Sequence, residues 1–264
     1  MQLTASKTKK GFRKIMRRYW MLYLMVLPVM LYFILFKYLP MFGIVMAFQD
    51  FKVTRGFFES EWVGFSNFLS FFNSIYFWTV IRNTLSISLY GLIFSFPAPI
   101  ILALMLNELK NMRFKKAVQT ITYMPHFISL VIICGLIREF FSGDGLFNAI
   151  NNLLGLETVH YLNEPNWFYP IYIGSYIWQH VGWSSIIYLA ALSAIDVQLY
   201  DAATIDGAGR FQKIWHVTLP GLSPTITMLL ILNIGRIMSV GFEKIILLYS
   251  PLVYEKADVI STFV

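Results

Sequence analysis

The residues whose types and spacing could do chemistry lie mainly in one polar interruption, residues 199–220, between two apolar stretches. The pair Tyr200-Asp201 suggests proteolysis inside a membrane, a chemistry that requires two carboxylates sharing a proton. Asp201 stands in a polar loop beyond the apolar stretch, and no carboxylate lies at the centre of a span to pair with it. The pattern therefore gives proteolysis little support.

Other catalytic signatures are absent from the sequence. It contains no P-loop pattern for nucleotide phosphates, no His-Glu-x-x-His metal motif and no Gly-x-Ser-x-Gly nucleophile elbow. We therefore expect a chain that is not an enzyme and that holds no cofactor and no metal of its own. Energy from ATP hydrolysis would have to come from a separate chain.

Residues 199–220 read as a helix, a glycine turn and a second helix. Small and apolar residues follow helical spacing up to Asp206, where Gly207 and Gly209 interrupt the pattern. An apolar stripe then resumes and is predicted to end at Pro220. Its members are Phe211, Ile214, Trp215 and Val217. A helix-turn-helix in a loop of a membrane protein favours a docking role.

The composition is that of an integral membrane protein. The 264 residues are 57% hydrophobic, 17% aromatic and 13% charged, and the mean hydropathy is +0.62. The net charge of +7 does not indicate nucleic acid, because the basic residues cluster beside apolar stretches. The single cysteine, Cys134, lies in an apolar run and is expected to be a packed thiol.

Five apolar stretches are long enough to cross a bilayer at about 1.5 Å per residue. They are residues 19–36, 83–106, 117–141, 165–195 and 222–240. Prolines at positions 28, 40, 97 and 99 predict kinks or ends in the first two. Residues 49–82 are aromatic-rich and predict an external helix, lying in the headgroup region or packed on the bundle.

The charges of the loops predict the sidedness. Basic residues dominate segments 1–18 and 107–119, whereas segment 142–165 holds three acids and no Lys or Arg. By the positive-inside rule, the first two segments and residues 199–220 are cytoplasmic, and segments 142–165 and 241–264 are external. The amino terminus is therefore expected in the cytoplasm of a multi-pass membrane protein.

The polar interruption also resembles a known family. It is similar to the Glu-Ala-Ala loop of permease subunits in ATP-binding-cassette (ABC) importers, through Asp201, Ala202, Ala203, Asp206, Gly207, Ala208, Phe211, Ile214, Trp215, Leu219 and Pro220. One position departs, since Asp201 stands where Glu is usual. Six other stretches resemble the polysaccharide and oligosaccharide branch of type I importers: 36–40, 47–51, 61–64, 82–85, 96–99 and 123–127.

The resemblance implies an all-α membrane protein, a polytopic helical bundle with five spans in this sequence and a sixth expected beyond residue 264. It implies a second homologous permease, two cytoplasmic ATP-binding subunits holding ATP and Mg²⁺, and an extracellular binding protein, in a bacterial cytoplasmic membrane. The loop would form a coupling helix in a groove of the ATPase. ATP-driven closure of the two ATPases would then turn the permeases from inward- to outward-facing.

The residue types of the loop suit this role. Gly207 permits a tight turn and close backbone approach, and apolar side chains such as Leu199 and Ile205 could anchor helices in a groove. The predicted coupling residues are Asp201, Ala202, Ala203, Asp206, Gly207, Ala208, Arg210, Phe211, Lys213 and Ile214. Arg210 and Lys213 would contact acidic groups of the ATPase. A loop packed on its own bundle explains the stripe but not this order of acids, glycine and alanine.

Polar side chains inside spans are candidates for the translocation pathway, because they are costly unless they face a cavity or a partner. They are Trp178, Gln179, His180, Trp183, Asn233 and Arg236. Aromatic rings and amide or guanidinium donors suit the faces and hydroxyls of sugars. In the competing interpretation, the amides and His bond between helices and Arg236 snorkels or pairs with an acid.

The predicted function is a permease that forms half of the pathway for a carbohydrate. The predicted organisation is a basic segment at 1–18 and a transmembrane domain at 19–264, with the coupling loop at 197–220. The alternative is an ion-coupled secondary transporter using Asp201 or His180. It is disfavoured because no acid lies at the centre of a span. The sequence leaves the sugar open, as well as a peptide or another solute.

Overall fold

The computed structural model describes residue 14 and residues 16–263, and these are mainly helical. The basic residues of the predicted cytoplasmic segment at positions 7–13 lie outside the described residues. Contacts divide the chain into two compact units, residues 1–74 and 75–264. The division proposed from the sequence, at residue 19, stays a prediction.

The first unit opens with a long apolar helical run. Helix α1 (Trp20–Phe33) continues as a π-turn (Ile34–Tyr38) and a 3-10 helix (Leu39–Phe48). Together they are 29 residues long and apolar enough to cross a membrane. Pro28 lies inside α1 and Pro40 in the first turn of the 3-10 helix, so the run is helical through both prolines.

A small hairpin follows in the same unit. Strand β1 (Gln49–Asp50) pairs antiparallel with β2 (Glu61–Trp62), and helix α2 (Gly56–Glu59) lies between them. Helix α3 (Ser66–Phe72) comes next, and its Asn67 amide donates to two carbonyls of the 47–49 segment at 3.1 and 3.0 Å. Of the aromatic-rich residues 49–82, for which an external helix is predicted, those in this unit form the short α2 and α3 as their only helices.

The second unit is a bundle of α-helices. In order they are α4 (Phe77–Tyr90), α5 (Pro97–Glu108), α6 (Met112–Tyr123), α7 (Leu130–Phe140), α8 (Leu146–Leu153), α9 (Pro165–Ser193), α10 (Val197–Ile205), α11 (Arg210–Lys213), α12 (Leu219–Ile234), α13 (Phe242–Leu248), α14 (Tyr254–Ala257) and α15 (Ile260–Phe263). A π-turn (Gly91–Ser95) joins α4 to α5, and another (Ile214–Thr218) joins α11 to α12.

Each of the three described π-turns ends two residues before a proline: Pro40, Pro97 and Pro220. Proline lacks an N–H, and its ring clashes with the carbonyl four residues earlier in an α-helix. A π-turn bonds residues five apart, as Phe96 N–H does to the Gly91 carbonyl at 3.2 Å, and so accommodates the ring. The prediction that Pro220 ends the helix was therefore wrong, since the helical run extends from Arg210 to Ile234.

The third predicted span is not straight. Helix α6, a 3-10 turn (Met124–Phe127) and α7 replace it, and the two halves meet at 104°. The turn contains Pro125, and Ser129 then caps α7 by accepting the N–H of Ile132 at 3.4 Å. Helix α6 begins at Met112, so the predicted cytoplasmic loop of residues 107–119 is only a few residues long.

Counting spans by length and apolarity gives three continuous helices among the described residues, and up to five if each bent pair is one span. The second bent pair is α9 with α10, at 70°. The fold is therefore the expected all-α polytopic bundle.

Helix α9 is the centre of the second unit. Its Phe168, Ile171 and Tyr172 pack with Ile133 and Ile137 of α7 and with α13. Farther along, α9 packs with α5 and α12 through Ile100, Ala103, Tyr188, Leu192 and Leu222. Cys134 is buried in the first of these clusters, as a packed thiol should be. These contacts hold α9 between α7 and α13 in one half of its length and between α5 and α12 in the other.

Candidate functional site

A cavity of about 710 Å³ opens within the second unit. Its walls are α4 and the π-turn at 91–95, the middle of α9, and the end of α12 with the residues that follow it. Helix α9 contributes a stripe at spacing four, namely Tyr172, Tyr176 and His180. A four-residue spacing places side chains on one face of a helix, so these three side chains share one face of α9.

The described polar residues of the cavity wall include hydrogen-bond donors and no Asp or Glu. Arg236 is the only Lys, Arg, Asp or Glu among the described lining residues, and no described carboxylate forms an ion pair with it. The Asn233 amide donates to the Leu229 carbonyl at 2.8 Å, and the His180 Nδ1 donates to the Tyr176 carbonyl at 3.1 Å. The cavity is thus suited to a polar or anionic solute.

One buried hydroxyl in the described wall has no hydrogen-bond partner in the protein. Ser95 lies at the end of the π-turn, and its Oγ is buried without a hydrogen bond in the described structure. Buried hydroxyls are nearly always bonded, so an unbonded one in a residue of the cavity wall marks a group that a ligand or solvent molecule could bind after a small shift. Ser88, by contrast, donates to the Ile237 carbonyl and ties α4 to the residues after α12.

Aromatic rings stack beside these polar groups. The His126 ring lies parallel to the Trp183 ring at 4.7 Å, and the His180 ring stacks on Tyr176 at 4.4 Å. The two histidine rings are 5.5 Å apart. Trp183 therefore occupies a fixed position at the cavity wall, where a flat ring suits the apolar face of a sugar.

The structure separates the six predicted pathway residues. His180, Trp183, Asn233 and Arg236 line the cavity, whereas Trp178 and Gln179 do not. Adjacent residues on a helix point about 100° apart, which explains why neighbours differ. Gln179 is buried within the bundle.

Sequence reasoning missed Tyr172, Tyr176, Ser88 and Ser95 of the wall. The tyrosines had a signal, because Tyr172, Tyr176 and His180 repeat every four residues. Ser88 and Ser95 had none that stood out, because single serines are common in apolar helices and the π-turn that places Ser95 is not visible in the periodicity.

The second candidate region is the loop segment, which we define as residues 197–218. Helix α10 is capped by Asp196, whose Oδ1 accepts the Gln198 N–H at 2.9 Å. The helix ends at Ile205, and Gly207 in the turn after it has a φ of +77° and needs glycine for that reason. The Gly209 N–H then donates to the Gln212 side chain at 2.7 Å and starts α11. The predicted helix, glycine turn and second helix are therefore present.

Two hydrogen bonds tie the halves of the loop segment together. The Tyr200 hydroxyl lies 3.1 Å from the Thr218 hydroxyl, and the Lys213 ammonium donates to Thr204 Oγ1 at 2.7 Å. Thr218 is buried at the start of the fifth span. Lys213, which the sequence assigned to an ATPase contact, thus has a partner within the segment. Arg210 has no ion-pair partner in the described structure.

The apolar side chains of the loop segment point outward. Ile205 is 87% exposed and Phe211 is 88% exposed, whereas Ile214 is half-buried. Asp201, Ala202 and Asp206 are exposed as well, and Ala203 and Ala208 are half-buried. Large exposed apolar residues beside charged ones mark a surface for another protein.

No group of three or more His, Cys, Asp or Glu side chains that could hold a metal ion occurs within the described residues. The two histidines beside Trp183 are joined by no carboxylate or thiol. The cavity offers donors and rings to a solute and not a ligand set to a metal.

Comparison with known proteins places these features in a wider group. Residues 95–242 match the family described as "Binding-protein-dependent transport system inner membrane component". The chain is 43% identical over 263 residues to protein LplB of Bacillus subtilis, covering 99% of this chain and 82% of that one. It is 47% identical over 244 residues to the polygalacturonan/rhamnogalacturonan transport system permease protein YteP of the same organism, covering 92% and 76%.

A solved structure is also similar. The crystal structure of a bacterial ABC transporter involved in the import of the acidic polysaccharide alginate contains a chain 47% identical in sequence, with a TM-score of 0.88. The match covers 96% of this chain and 85% of that one. A second structure of the alginate transporter, in complex with an alginate pentasaccharide-bound periplasmic protein, matches with a TM-score of 0.87.

Proposed function

The chain belongs to the family of binding-protein-dependent transport system inner membrane components, and from this premise we propose how its cavity and loop segment work. It is a multi-pass membrane protein and a permease subunit of a carbohydrate ABC importer. Its relatives are transport permeases and not enzymes, which also disfavours an ion-coupled secondary transporter.

The proposed cargo is an acidic oligosaccharide. The observation that carries this proposal is the cavity, because its described lining includes Arg236 and no carboxylate. A guanidinium group binds a carboxylate by donating two parallel hydrogen bonds to it. The names of YteP and of the alginate transporter refer to polymers rich in uronic acids, which support the same class.

Within the cavity, each residue would have a separate task. Trp183 would stack on a sugar face, and the unpartnered Ser95 hydroxyl and Asn233 would bond to ring hydroxyls. Arg236 would receive the carboxylate. A second, homologous permease would complete the pathway, since α12 exposes apolar side chains such as Ile231 and Leu232 that need a lipid or protein cover.

The loop segment would couple this pathway to ATP hydrolysis in another chain. Ile205 and Phe211 would enter an apolar groove of a cytoplasmic ATPase, and Arg210 would meet an acid there. The Tyr200 bond to Thr218 would connect the docked helix to the fifth span. This arrangement requires the amino terminus in the cytoplasm and an extracellular binding protein that delivers the sugar.

A matched pair of substitutions tests the docking surface. Ile205 and Leu153 are both aliphatic and both 87% exposed, but Leu153 lies in α8, on the predicted external side. Each would be changed to Asp in the membrane-expressed complex, and the ATP-hydrolysing subunit would be co-purified with the chain. We expect Ile205→Asp to lose the ATPase by roughly tenfold or more, as a buried charge at an interface centre costs at least 1–2 kcal/mol.

Leu153→Asp serves as the control and should retain the ATPase. Equal retention by both variants would contradict docking through the loop segment. Equal loss in both would show that exposed charges disturb the complex generally, and would remove the support for a specific surface.

A further inference from the structure

A buried ammonium lies behind the wall of the cavity. Lys244 belongs to α13 and is only 6% exposed. Within the described residues, the only ion pair is Lys52 with Asp50, so no carboxylate neutralises Lys244. A buried charge without a counter-ion is costly and needs an explanation.

The hydrogen bond and the cation–π contacts of Lys244 are all with α9. Its Nζ donates to the Tyr172 carbonyl at 3.2 Å, lies 4.9 Å from the centre of the Tyr172 ring and 5.7 Å from that of Tyr176. Both rings line the cavity, whereas Lys244 itself does not. The ammonium therefore stands one aromatic ring away from the cavity, with cation–π contacts to the wall.

The charge of Lys244 adds to that of Arg236. Burial lowers the pKa of the Lys244 ammonium to about 8, so most of the side chain is protonated at pH 7. In surroundings poor in water, its field extends several ångströms with little screening. With one cation in the lining, another behind it and no lining carboxylate, the cavity is a region of positive potential.

We propose that Lys244 is a specificity-determining residue, whose ammonium behind Tyr172 and Tyr176 favours solutes that carry a carboxylate over their uncharged counterparts. The inference rests on the proposed function, since it assigns a second source of charge selectivity to the same cavity. If this side chain only held the helices together, an uncharged side chain of similar length, such as Met or Gln, would do so without the free-energy cost of burying a charge.

The test measures equilibrium binding to the purified complex in lipid nanodiscs without the binding protein, so that only the permease cavity selects. The two probes are trigalacturonate and its fully methyl-esterified form, which share their sugar rings and differ in charge. Lys244→Met should weaken binding of the acid about tenfold, the order expected for a charge several ångströms away, and binding of the ester by less than twofold.

Two control variants accompany this substitution. Lys244→Arg retains the charge and should retain the preference for the acid. Lys256→Met removes a charge from the same external segment at a half-buried position outside the cavity lining, and should change neither probe.

A pH series gives a second measurement that does not depend on Lys244→Met folding. The titratable and charged groups around the ammonium are Cys134 from α7, Tyr172, Tyr176 and His180 from α9, and Arg236 beyond them. Lys244→Arg retains all of them and supplies the baseline. As pH rises from 7 to 9, the wild-type chain should lose affinity for the acid relative to this baseline, because Lys244 loses its proton and Arg does not.

The outcomes separate the two proposals. If the wild-type complex prefers the acid but Lys244→Met and the pH series leave that preference unchanged, the role of Lys244 is overturned and the acidic cargo stands. If Lys244→Met weakens both probes equally, Lys244 only positions the two rings, and its role in specificity is overturned. If the wild-type complex does not prefer the acid, the acidic cargo itself is overturned and the role of Lys244 with it.

Discussion

The cavity and the loop segment use polar and apolar side chains in opposite ways. At the cavity, the Ser95 hydroxyl is buried in the wall, and the Lys244 ammonium is buried behind the wall against the Tyr172 ring. In the loop segment, apolar groups such as Ile205 and Phe211 are exposed. Buried polar groups suit a small polar ligand, whereas exposed apolar groups suit a protein surface. The two regions therefore differ in the chemistry of the ligands that they suit.

The largest expected effect concerns the rigidity of the cavity wall. Gly182 of α9 lies so close to α6 that a Cβ there would be 2.2 Å from the Thr122 carbonyl oxygen. Gly182→Ala should therefore destabilise the chain by about 1–3 kcal/mol or more through overpacking, lowering its thermal unfolding temperature in detergent.

Gly174 provides the control in the same helix, since a Cβ there meets nothing within 4 Å. Gly174→Ala should leave the unfolding temperature unchanged or raise it slightly. Equal stability of the two alanine variants would mean that the close approach of Gly182 to α6 does not hold α9 in place and that the cavity wall is not rigid at this point.

The next effect distinguishes coupling from binding. Gly207 has a φ of +77°, where a β-branched residue costs about 1–2 kcal/mol. Gly207→Val should distort the turn and reduce sugar-stimulated ATPase activity of the reconstituted complex by roughly tenfold, while equilibrium binding of the sugar to the cavity stays as in the wild type.

Gly209→Ala is the matched control, because Gly209 has a φ of −71° and its added Cβ would make an ordinary contact at 3.6 Å. This variant should retain the stimulation. A loss of sugar binding in Gly207→Val would show that the loop segment and the cavity do not act separately.

The smallest effect tests the aromatic wall. Trp183 and Trp178 are 44% and 45% exposed, but only Trp183 lines the cavity. Trp183→Ala should weaken sugar binding roughly fivefold, since an aromatic contact contributes about 0.5–1.5 kcal/mol. Trp178→Ala should leave binding unchanged in the same titration. The reverse result would move the sugar to another face of α9.

Much of the fold could be predicted from the sequence, because long apolar stretches are typical of membrane-spanning helices and charged residues are typical of the loops between them. The two helices and the glycine turn within residues 199–220 could also be predicted from the sequence. The bend at Pro125 and the uninterrupted helix through Pro220 could not be predicted, because a proline can end, kink or widen a helix. Which of these occurs depends on the turn before it and on tertiary contacts.

The candidate site was predictable in part. Polar residues inside spans drew attention to His180 and Arg236, which line the cavity. Lys244 could not be found in this way, because its sequence neighbours place it in an external segment and only the tertiary fold buries it against α9. The partner of Lys213 was equally hidden, since Thr204 lies nine residues away across the turn.

The π-turn at residues 214–218 has a consequence for how the two regions are aligned. One extra residue in a turn acts as an insertion that advances every later side chain by about 100° around the helix axis. Phe211 lies before this turn, and Asn233 lies after it on the same helical run. The turn before Pro220 therefore sets the angle around the helix axis between Phe211 and Asn233, so that one continuous helical run directs the two side chains differently.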